Sequence, residues 1–93
     1  MIKTFSDKRT AALFVGIPAT GMPADVRKRA REKLVALSQA KSIEDLRVLP
    51  SNHLEALKGD RGGQHSIRVN DQWRLCFVWH DGDAYDVEFT DYH

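Results

Sequence analysis

The sequence is poor in cysteine and in long apolar runs, and each absence excludes a class of protein. Cys76 is the single cysteine among 93 residues, so no intrachain disulfide can form, whereas small secreted domains usually carry several. Residues 1–8 contain no apolar run of signal-peptide length. No stretch of the chain approaches the ~20 apolar residues of a membrane span. We therefore expect a soluble protein of the cytoplasm with no membrane partner.

The chain also lacks the motifs of metal and nucleotide sites. Its four histidines, at positions 53, 65, 80 and 93, give no helical pair, and one cysteine gives no thiolate cluster, so we expect no zinc site. The glycines at positions 59, 62 and 63 do not have the spacing of a phosphate-binding loop, and no predicted strand precedes them. Nucleoside triphosphate binding is therefore rejected, and we expect no cofactor. Cys76 is expected to pack as a small hydrophobic residue.

Length and charge limit the kind of site. A chain of 93 residues forms one domain with one core, so any active site should be a shallow concave face, which suits a polymer substrate. The net charge is only +1, but residues 1–41 contain nine Lys/Arg and three Asp/Glu, whereas residues 42–93 contain five and ten. This asymmetry indicates a basic face that meets phosphates, or charges that mix again in the fold.

Two helices are predicted in the first 41 residues. Residues 2–5 are predicted as a short edge strand, after which Ser6 or Asp7 caps a helix that runs through Phe14. Glycines and prolines between positions 16 and 23 form a loop, and Pro23 lies at the first turn of a second helix. The apolar residues of that helix form one stripe, at spacings of four, four and three: Val26, Ala30, Leu34 and Leu37.

Basic residues lie largely away from this stripe: Arg27, Lys28, Arg31 and Lys41. One interpretation is a solvated helix face, and the other is a contact with RNA or the ribosome.

The second half of the chain changes to a period of two. Residues 42–45 resemble a capping box that opens a short turn, and residues 51–63 are predicted as a loop with at most one helical turn. Three strands follow, and their apolar residues share one face: Ile67 and Val69; Trp73, Leu75, Phe77 and Trp79; Tyr85, Val87 and Phe89. The predicted fold class is α+β, with N-terminal helices packed on a C-terminal antiparallel β-sheet of three to four strands.

The last three residues are an acid, a phenol and an imidazole: Asp91, Tyr92 and His93. They follow an apolar strand pattern directly, so we expect them at the edge of a rigid element. Histidine has the unperturbed pKa nearest neutral pH, which suits it to proton transfer. The ending therefore points to an enzyme, although His93 could also be a disordered terminal residue and Tyr92 could plug the edge of the core.

Three segments taken in order resemble one protein family. They are LKGDR at residues 57–61, SIRVNDQWR at residues 66–74, and DYH at residues 91–93. At these distances they resemble the HigB toxins of bacterial toxin–antitoxin systems, within the RelE/ParE superfamily. The resemblance covers nearly the whole chain and is strongest over residues 52–93.

The resemblance implies a RelE-like fold and a ribosome-dependent endonuclease that cuts mRNA in the decoding site. It also implies neutralisation by a HigA antitoxin with a helix-turn-helix DNA-binding domain, and repression of the operon by the complex of the two proteins. Metal-free cleavage by the ribose 2′-hydroxyl needs a base, an acid and cations that stabilise the phosphorane. Paired carboxylates that hold a metal ion would be the alternative.

The residues fit the metal-free chemistry as follows. His93 is the first choice for proton transfer, Asp91 orients an imidazole or acts as the base, and Tyr92 stacks on a base or binds a phosphate. Matching positions in the family make Arg74 and Lys58 the choices for charge stabilisation. Arg61 and Arg68 come next, as RNA contacts. Arg68 and Arg74 could instead pair with Glu88 or Asp86 across the sheet.

One position departs from the family. Some members carry a catalytic histidine three residues before the lysine of the Lys-Gly-Asp-Arg stretch, where this chain has Glu55. His53 lies two residues further upstream. The base is therefore Glu55, His53 or Asp91, and the choice stays open.

Two rival functions remain. A ParE-like toxin would inhibit DNA gyrase without catalysis, and a plain RNA-binding module would keep the basic residues but tolerate loss of His93. The cationic positions together with the terminal triad favour the nuclease, because an inhibitor that only binds protein does not need that set.

Overall fold

Helices cover one face of a four-stranded antiparallel sheet in the computed structural model, which describes residues 1–18 and 21–91. The helices are α1 (Lys8–Val15), α2 (Ala24–Gln39) and α3 (Ile43–Arg47), and short 3-10 turns lie at Pro50–Asn52 and Gly59–Arg61. The strands are β1 (Glu55–Ala56), β2 (His65–Arg68), β3 (Trp73–His80) and β4 (Asp83–Asp91), in the spatial order β1-β2-β3-β4. The predicted α+β fold class is confirmed. Within the described ranges, no helix is both long and apolar enough to cross a membrane.

The helices begin where local signals predict. Asp7 caps α1, and its carboxylate accepts hydrogen bonds from the Thr10 amide at 2.7 Å and the Thr10 hydroxyl at 2.8 Å. Partial burial would raise the pKa of the Asp7 carboxyl, but these hydrogen bonds outweigh it, and the pKa is lowered. A capping box between Ser42 and Asp45 opens α3, as predicted.

The core lies between the helices and one face of the sheet, which we call the inner sheet face. Pairing sets Ile67 opposite Leu75 and Leu75 opposite Phe89, and all three are 0% exposed. The predicted apolar stripe of α2 is buried over its four residues. At one end of this face, Trp73 stacks on Phe89 with ring centroids 4.5 Å apart. The predicted alternation of β2 and β3 is therefore confirmed.

A bulge interrupts β4. Pairing with β3 runs regularly to Cys76 and resumes at Val78 after a register shift that leaves one extra residue in β4. Asp86 has a left-handed backbone, with φ 54°. The Thr4 hydroxyl holds it there, since it accepts a hydrogen bond from the Asp86 amide at 2.8 Å and donates one to the Asp86 carboxylate at 3.3 Å.

The bulge overturns one predicted position. Because of the extra residue, each residue of β4 before the bulge lies on the face opposite to the one that strict alternation predicts. Ala84 is therefore 0% exposed in the core, and Tyr85 pairs with Val78 on the other face. The prediction that Tyr85 shares the face of Val87 and Phe89 is wrong for this reason.

Two short segments also differ from their predicted structure. Residues 2–5 form isolated parallel bridges to Ala84 and Val87 rather than a strand of their own. Residues 51–63 are not entirely loop, because β1 pairs with the first half of β2. Both residues of β1 are exposed, so its sequence carries no apolar alternation from which a strand could be predicted.

Candidate active site

The sheet face that points away from the helices carries a continuous set of polar side chains. Residues directly opposite each other on paired strands project to the same side. Glu55 pairs with Ser66, Ser66 with Cys76, and Cys76 with Glu88, so one row crosses all four strands. The neighbouring row contains Arg68, Arg74 and Thr90. We call these seven residues the outer sheet face: Glu55, Ser66, Arg68, Arg74, Cys76, Glu88 and Thr90.

The connection between β1 and β2 folds over this face and encloses a pocket of about 200 Å³. Its lining residues come from that connection and from β3 and β4: Leu57, Lys58, Asp60, Arg61, Cys76, Thr90 and Asp91. The Gly59–Arg61 turn begins at Gly59, whose φ of 68° favours glycine. The predicted residues Lys58, Arg61 and Asp91 are thereby brought together in one shallow pocket.

Arg74 is held in a fixed position beside the pocket. Its Nε donates to the Ser66 hydroxyl at 2.8 Å, and its Nη2 donates to the His53 carbonyl at 2.7 Å. The His53 backbone is left-handed, with φ 43°, which allows its carbonyl to face the sheet. These two hydrogen bonds orient the guanidinium on the outer sheet face.

Other cations of the site pair with carboxylates. Arg61 Nη1 donates to Glu88 Oε1 at 3.0 Å and to Gln64 Oε1 at 3.1 Å. Arg68 pairs with Asp71 in the turn between β2 and β3. Glu88 therefore serves as the partner of Arg61.

Cys76 forms the floor of this pocket. The side chain is 1% exposed, as predicted for a small packed residue. Burial raises the pKa of the Cys76 thiol; Arg61 and Arg74 oppose this rise, whereas Glu88 and Glu55 add to it. Two arginines and two glutamates therefore all influence the pKa of this one buried thiol.

The two alternatives for the upstream histidine lie in different places. Glu55 projects onto the outer sheet face, where its charge is felt at Cys76. The His53 ring instead lines a second pocket with Arg29, Lys33 and Arg68, and its Nε2 lies 3.5 Å from Arg68 Nη1. The His53 backbone carbonyl, and not the ring, accepts the hydrogen bond from Arg74.

Asp91 ends β4 opposite Trp73, and its carboxylate accepts a hydrogen bond from the side-chain Nε2 of Gln72 at 3.0 Å. The predicted residues Tyr92 and His93 lie outside the described residues. Their roles therefore stay predictions.

The basic residues Arg27, Lys28 and Arg31 are not brought to the outer sheet face. They line a separate pocket of about 410 Å³ between α1 and α2. Arg27 donates to the Met22 carbonyl at 3.1 Å, and Arg31 donates to the Phe14 carbonyl at 3.2 Å. Within residues 1–18 and 21–91, this pocket shares no lining residue with the pocket beside Cys76.

Arg29 and Lys33 lie beside His53 and Arg68, and neither was predicted as a site residue. Their spacing of four places them on one side of α2, and this is the signal that could have found them. Which side of α2 meets the turn after β2 depends on helix packing, which the spacing does not give.

Across residues 1–18 and 21–91, no three His, Cys, Asp or Glu side chains lie close enough to hold a metal ion.

Comparison with known proteins identifies the family. A family described as the RelE-like toxin of type II toxin–antitoxin system HigB matches residues 3–93. The chain is 39% identical over 93 residues to Endoribonuclease HigB of Proteus vulgaris, covering 100% of both proteins. It is 43% identical over 63 residues to Toxin HigB-1 of Vibrio cholerae serotype O1, covering 68% of this chain and 66% of that protein.

A solved structure supports the fold. The chain superposes with a TM-score of 0.58 on a chain of the YoeB–YefM complex from Staphylococcus aureus, at 16% identity, covering 100% of this chain and 98% of that one. At this identity the likeness shows a shared fold. The family match over residues 3–93 and the 39% identity to Endoribonuclease HigB show that the chain belongs to the HigB family of RelE-like toxins of type II toxin–antitoxin systems.

Proposed function

We propose that this protein is a ribosome-dependent endoribonuclease that cuts mRNA and thereby inhibits translation in the bacterial cytoplasm. The outer sheet face carries the proposal, because it holds the oriented Arg74 beside a shallow pocket that Lys58, Arg61 and Asp91 line. A relative that aligns over the full length of this chain is named an endoribonuclease, which supports the same activity.

The proposed reaction needs no metal ion. A base removes the proton of the ribose 2′-hydroxyl, and the oxygen attacks the adjacent phosphorus atom. The bond from phosphorus to the 5′ oxygen of the next nucleotide breaks, and an acid gives that oxygen a proton. The products are a 2′,3′-cyclic phosphate and a free 5′-hydroxyl. Extra negative charge develops on the phosphate oxygens in the transition state, and fixed cations stabilise it.

Arg74 is the proposed centre of this charge stabilisation. Its guanidinium presents a planar set of donors, and the bonds to Ser66 and His53 orient it before the substrate arrives. Lys58, at the rim of the pocket, adds a mobile point charge. Arg61 and Arg68 contact the RNA strand from either side of Arg74.

Proton transfer is assigned to the carboxylates and the terminal residues. Glu55 is the proposed base in preference to His53, because its side chain shares the outer sheet face with Arg74 and the His53 ring does not. His93 is the proposed acid, Asp91 orients it, and Tyr92 stacks on a base of the message.

We also propose roles for the remaining basic residues and for a protein partner. Arg27, Lys28 and Arg31 lie away from the pocket, and we assign them to contacts with the ribosome. We propose that a HigA-like antitoxin with a helix-turn-helix domain neutralises the toxin. Through that antitoxin, the complex binds operator DNA. The fold is shared with a chain solved in a YoeB–YefM complex, which supports a partner of this general kind.

Primer extension tests this function. One mRNA is incubated with purified untagged protein, with and without translating bacterial ribosomes, and wild type is compared with a deletion of His93. We expect cuts that need the ribosome and disappear with the deletion. Cuts that persist without His93 would contradict its role and shift the proton transfer to Glu55 and Asp91.

An uncut message in every reaction would contradict the nuclease. DNA supercoiling by gyrase in the presence of the protein then tests the ParE-like alternative. Unfolding of both proteins in urea provides the control, because a deletion that only destabilises the fold would lower the midpoint.

A further inference from the structure

We propose that a second basic pocket, between α2 and the turn that follows β2, binds a backbone phosphate of RNA next to the cleavage site. The proposal rests on the proposed function. We call this the α2 pocket; it has a volume of about 270 Å³. The lining residues that matter here are Arg29, Lys33, Ser51, His53, Arg68 and Asp71. Among the residues that the structure describes, it shares no lining residue with the pocket beside Cys76.

Lys33 is built into this pocket by neutral partners. Its Nζ donates to the Asn52 amide oxygen at 2.6 Å and to the Ser51 hydroxyl at 3.5 Å. Asn52 is 1% exposed, and its Nδ2 donates to the Leu46 carbonyl at 2.9 Å, so a buried amide fixes the direction of the lysine. An ammonium group oriented in this way keeps its full charge available for an anion.

The charges around Lys33 do not cancel. Arg29, Lys33 and Arg68 are three cations in the lining, and Asp71 is the one carboxylate there. Partial burial lowers the pKa of Lys33, the Arg29 charge lowers it further, and Glu32 opposes the change. Folding therefore places like charges together, which costs free energy that a bound anion would offset.

The α2 pocket is joined directly to the outer sheet face. Arg68 lines the pocket and lies directly opposite Arg74 in the pairing of β2 with β3. The His53 ring lies in the pocket, 3.5 Å from Arg68, while the His53 carbonyl accepts the hydrogen bond from Arg74 at 2.7 Å. An RNA strand with one phosphate at Arg74 can therefore place a neighbouring phosphate in the α2 pocket.

Phosphate is the chemistry that fits this lining. Arginine binds a phosphate with a planar set of donors, and lysine does so as a point charge. Such contacts position a strand without reading its sequence. Two sources supply the same group, namely the message that is cut and the ribosomal RNA beside it.

Salt-dependent binding tests the site without any cleavage. The full untagged chain is titrated into a fluorescent single-stranded RNA oligonucleotide with 2′-O-methyl groups throughout, which cannot be cut, at several salt concentrations. The double variant Arg29→Gln/Lys33→Gln should bind more weakly than wild type. The slope of log K against log salt is negative, and it should become shallower by about 0.7 for each phosphate that the variant no longer neutralises.

A matched control removes the same number of charges elsewhere. Lys3→Gln/Lys8→Gln changes two exposed lysines, one in the N-terminal segment and one at the start of α1. It should leave the slope close to that of wild type. A second variant, Ser51→Glu, keeps both cations but adds a carboxylate at the exposed mouth of the pocket, and it should weaken binding in the same direction. Thermal unfolding confirms that each variant is folded.

Ribosomes separate the two sources of phosphate. The same variants are sedimented with bacterial ribosomes that carry no message. A shallower salt dependence of oligonucleotide binding assigns the pocket to the message. Weaker sedimentation with empty ribosomes assigns it to ribosomal RNA. The proposal is overturned if the Arg29→Gln/Lys33→Gln variant matches the control in both measurements.

Failure of the phosphate site can be distinguished from failure of the proposed function. If wild type fails to cut messages on ribosomes while the slope still falls, the phosphate site stands and the proposed function fails. If wild type cuts and the double variant behaves as the control, the reverse holds.

Discussion

The two faces of the sheet are made by alternate residues of the same strands, and they differ in what they contain. The inner sheet face consists of apolar side chains such as Ile67, Leu75 and Phe77, which are 0% exposed beneath the helices. The outer sheet face instead carries polar and charged side chains, among them Arg74 and Glu55. Because successive residues of a strand point to opposite faces, the position of a residue along β2 or β3 decides whether it serves the core or the pocket.

The largest expected effect is on the inner sheet face. Phe77→Ala removes a fully buried ring, and we expect it to lower the free energy of unfolding by about 3–5 kcal/mol. Unfolding in urea measures this loss. Phe77→Leu is the control, because it keeps most of the volume and should cost much less. If Phe77→Ala unfolds at the wild-type midpoint, the inner sheet face does not carry the stability.

The next effect compares two residues near the outer sheet face. Glu55→Gln should reduce the rate of message cutting by roughly 10²-fold or more, as expected for loss of a general base, with little change in stability. His53→Gln should have a much smaller effect, because it removes the ring but keeps the carbonyl that holds Arg74. Single-turnover cutting on programmed ribosomes measures both rates. A larger loss for His53→Gln would move the base role to that ring.

A smaller effect is expected at the helix that covers the inner sheet face. Asp7→Ala removes the cap of α1 and should cost about 1 kcal/mol. The pKa of Asp7 is lower in the folded state, so its contribution is present above the unfolded value near 3.8 and is lost as the pH falls through the lower folded value.

Urea unfolding of wild type and Asp7→Ala at neutral and acidic pH measures this dependence. The difference between the two proteins should shrink on acidification. A difference that grows in acid would contradict the assigned direction of the pKa change.

The smallest effect is expected at the centre of the outer sheet face. The pKa of the Cys76 thiol is raised by burial, so a neutral thiol fills the floor of the pocket and supplies no nucleophile. Cys76→Ala should therefore cut messages at the wild-type rate. Alkylation should be slow in the folded protein and fast in urea. Fast alkylation of the folded protein at neutral pH would show that the pocket is open to its floor.

Sequence patterns predicted the elements that local chemistry determines. The stripe of α2, the Asp7 cap and the alternation in β3 each depend on neighbouring residues, and the structure confirms them. The bulge at Asp86 was not predicted, because it depends on a hydrogen bond with Thr4, far away in the chain. β1 was not predicted, because its two residues are exposed and are extended only through pairing with β2.

For the candidate site, the family resemblance predicted residues, and the structure shows where they lie. Lys58 and Arg61 line the pocket with Cys76, and Arg74 lies in the neighbouring row of the outer sheet face. The resemblance left Glu55, His53 and Asp91 open as the base, and a spacing of two residues between His53 and Glu55 does not say which of these two side chains faces the outer sheet. Strand pairing and the left-handed backbone of His53 provide that distinction.

The most direct measurement is the single-turnover rate of message cutting on programmed ribosomes by Arg74→Gln, with its free energy of unfolding measured on the same preparation. Loss of a fixed donor to a developing oxyanion should lower the rate by about 10²–10³-fold, while the unfolding free energy falls by only about 1 kcal/mol. A wild-type rate, or a loss of activity that is matched by unfolding of the protein, would contradict the assignment of chemistry to the outer sheet face.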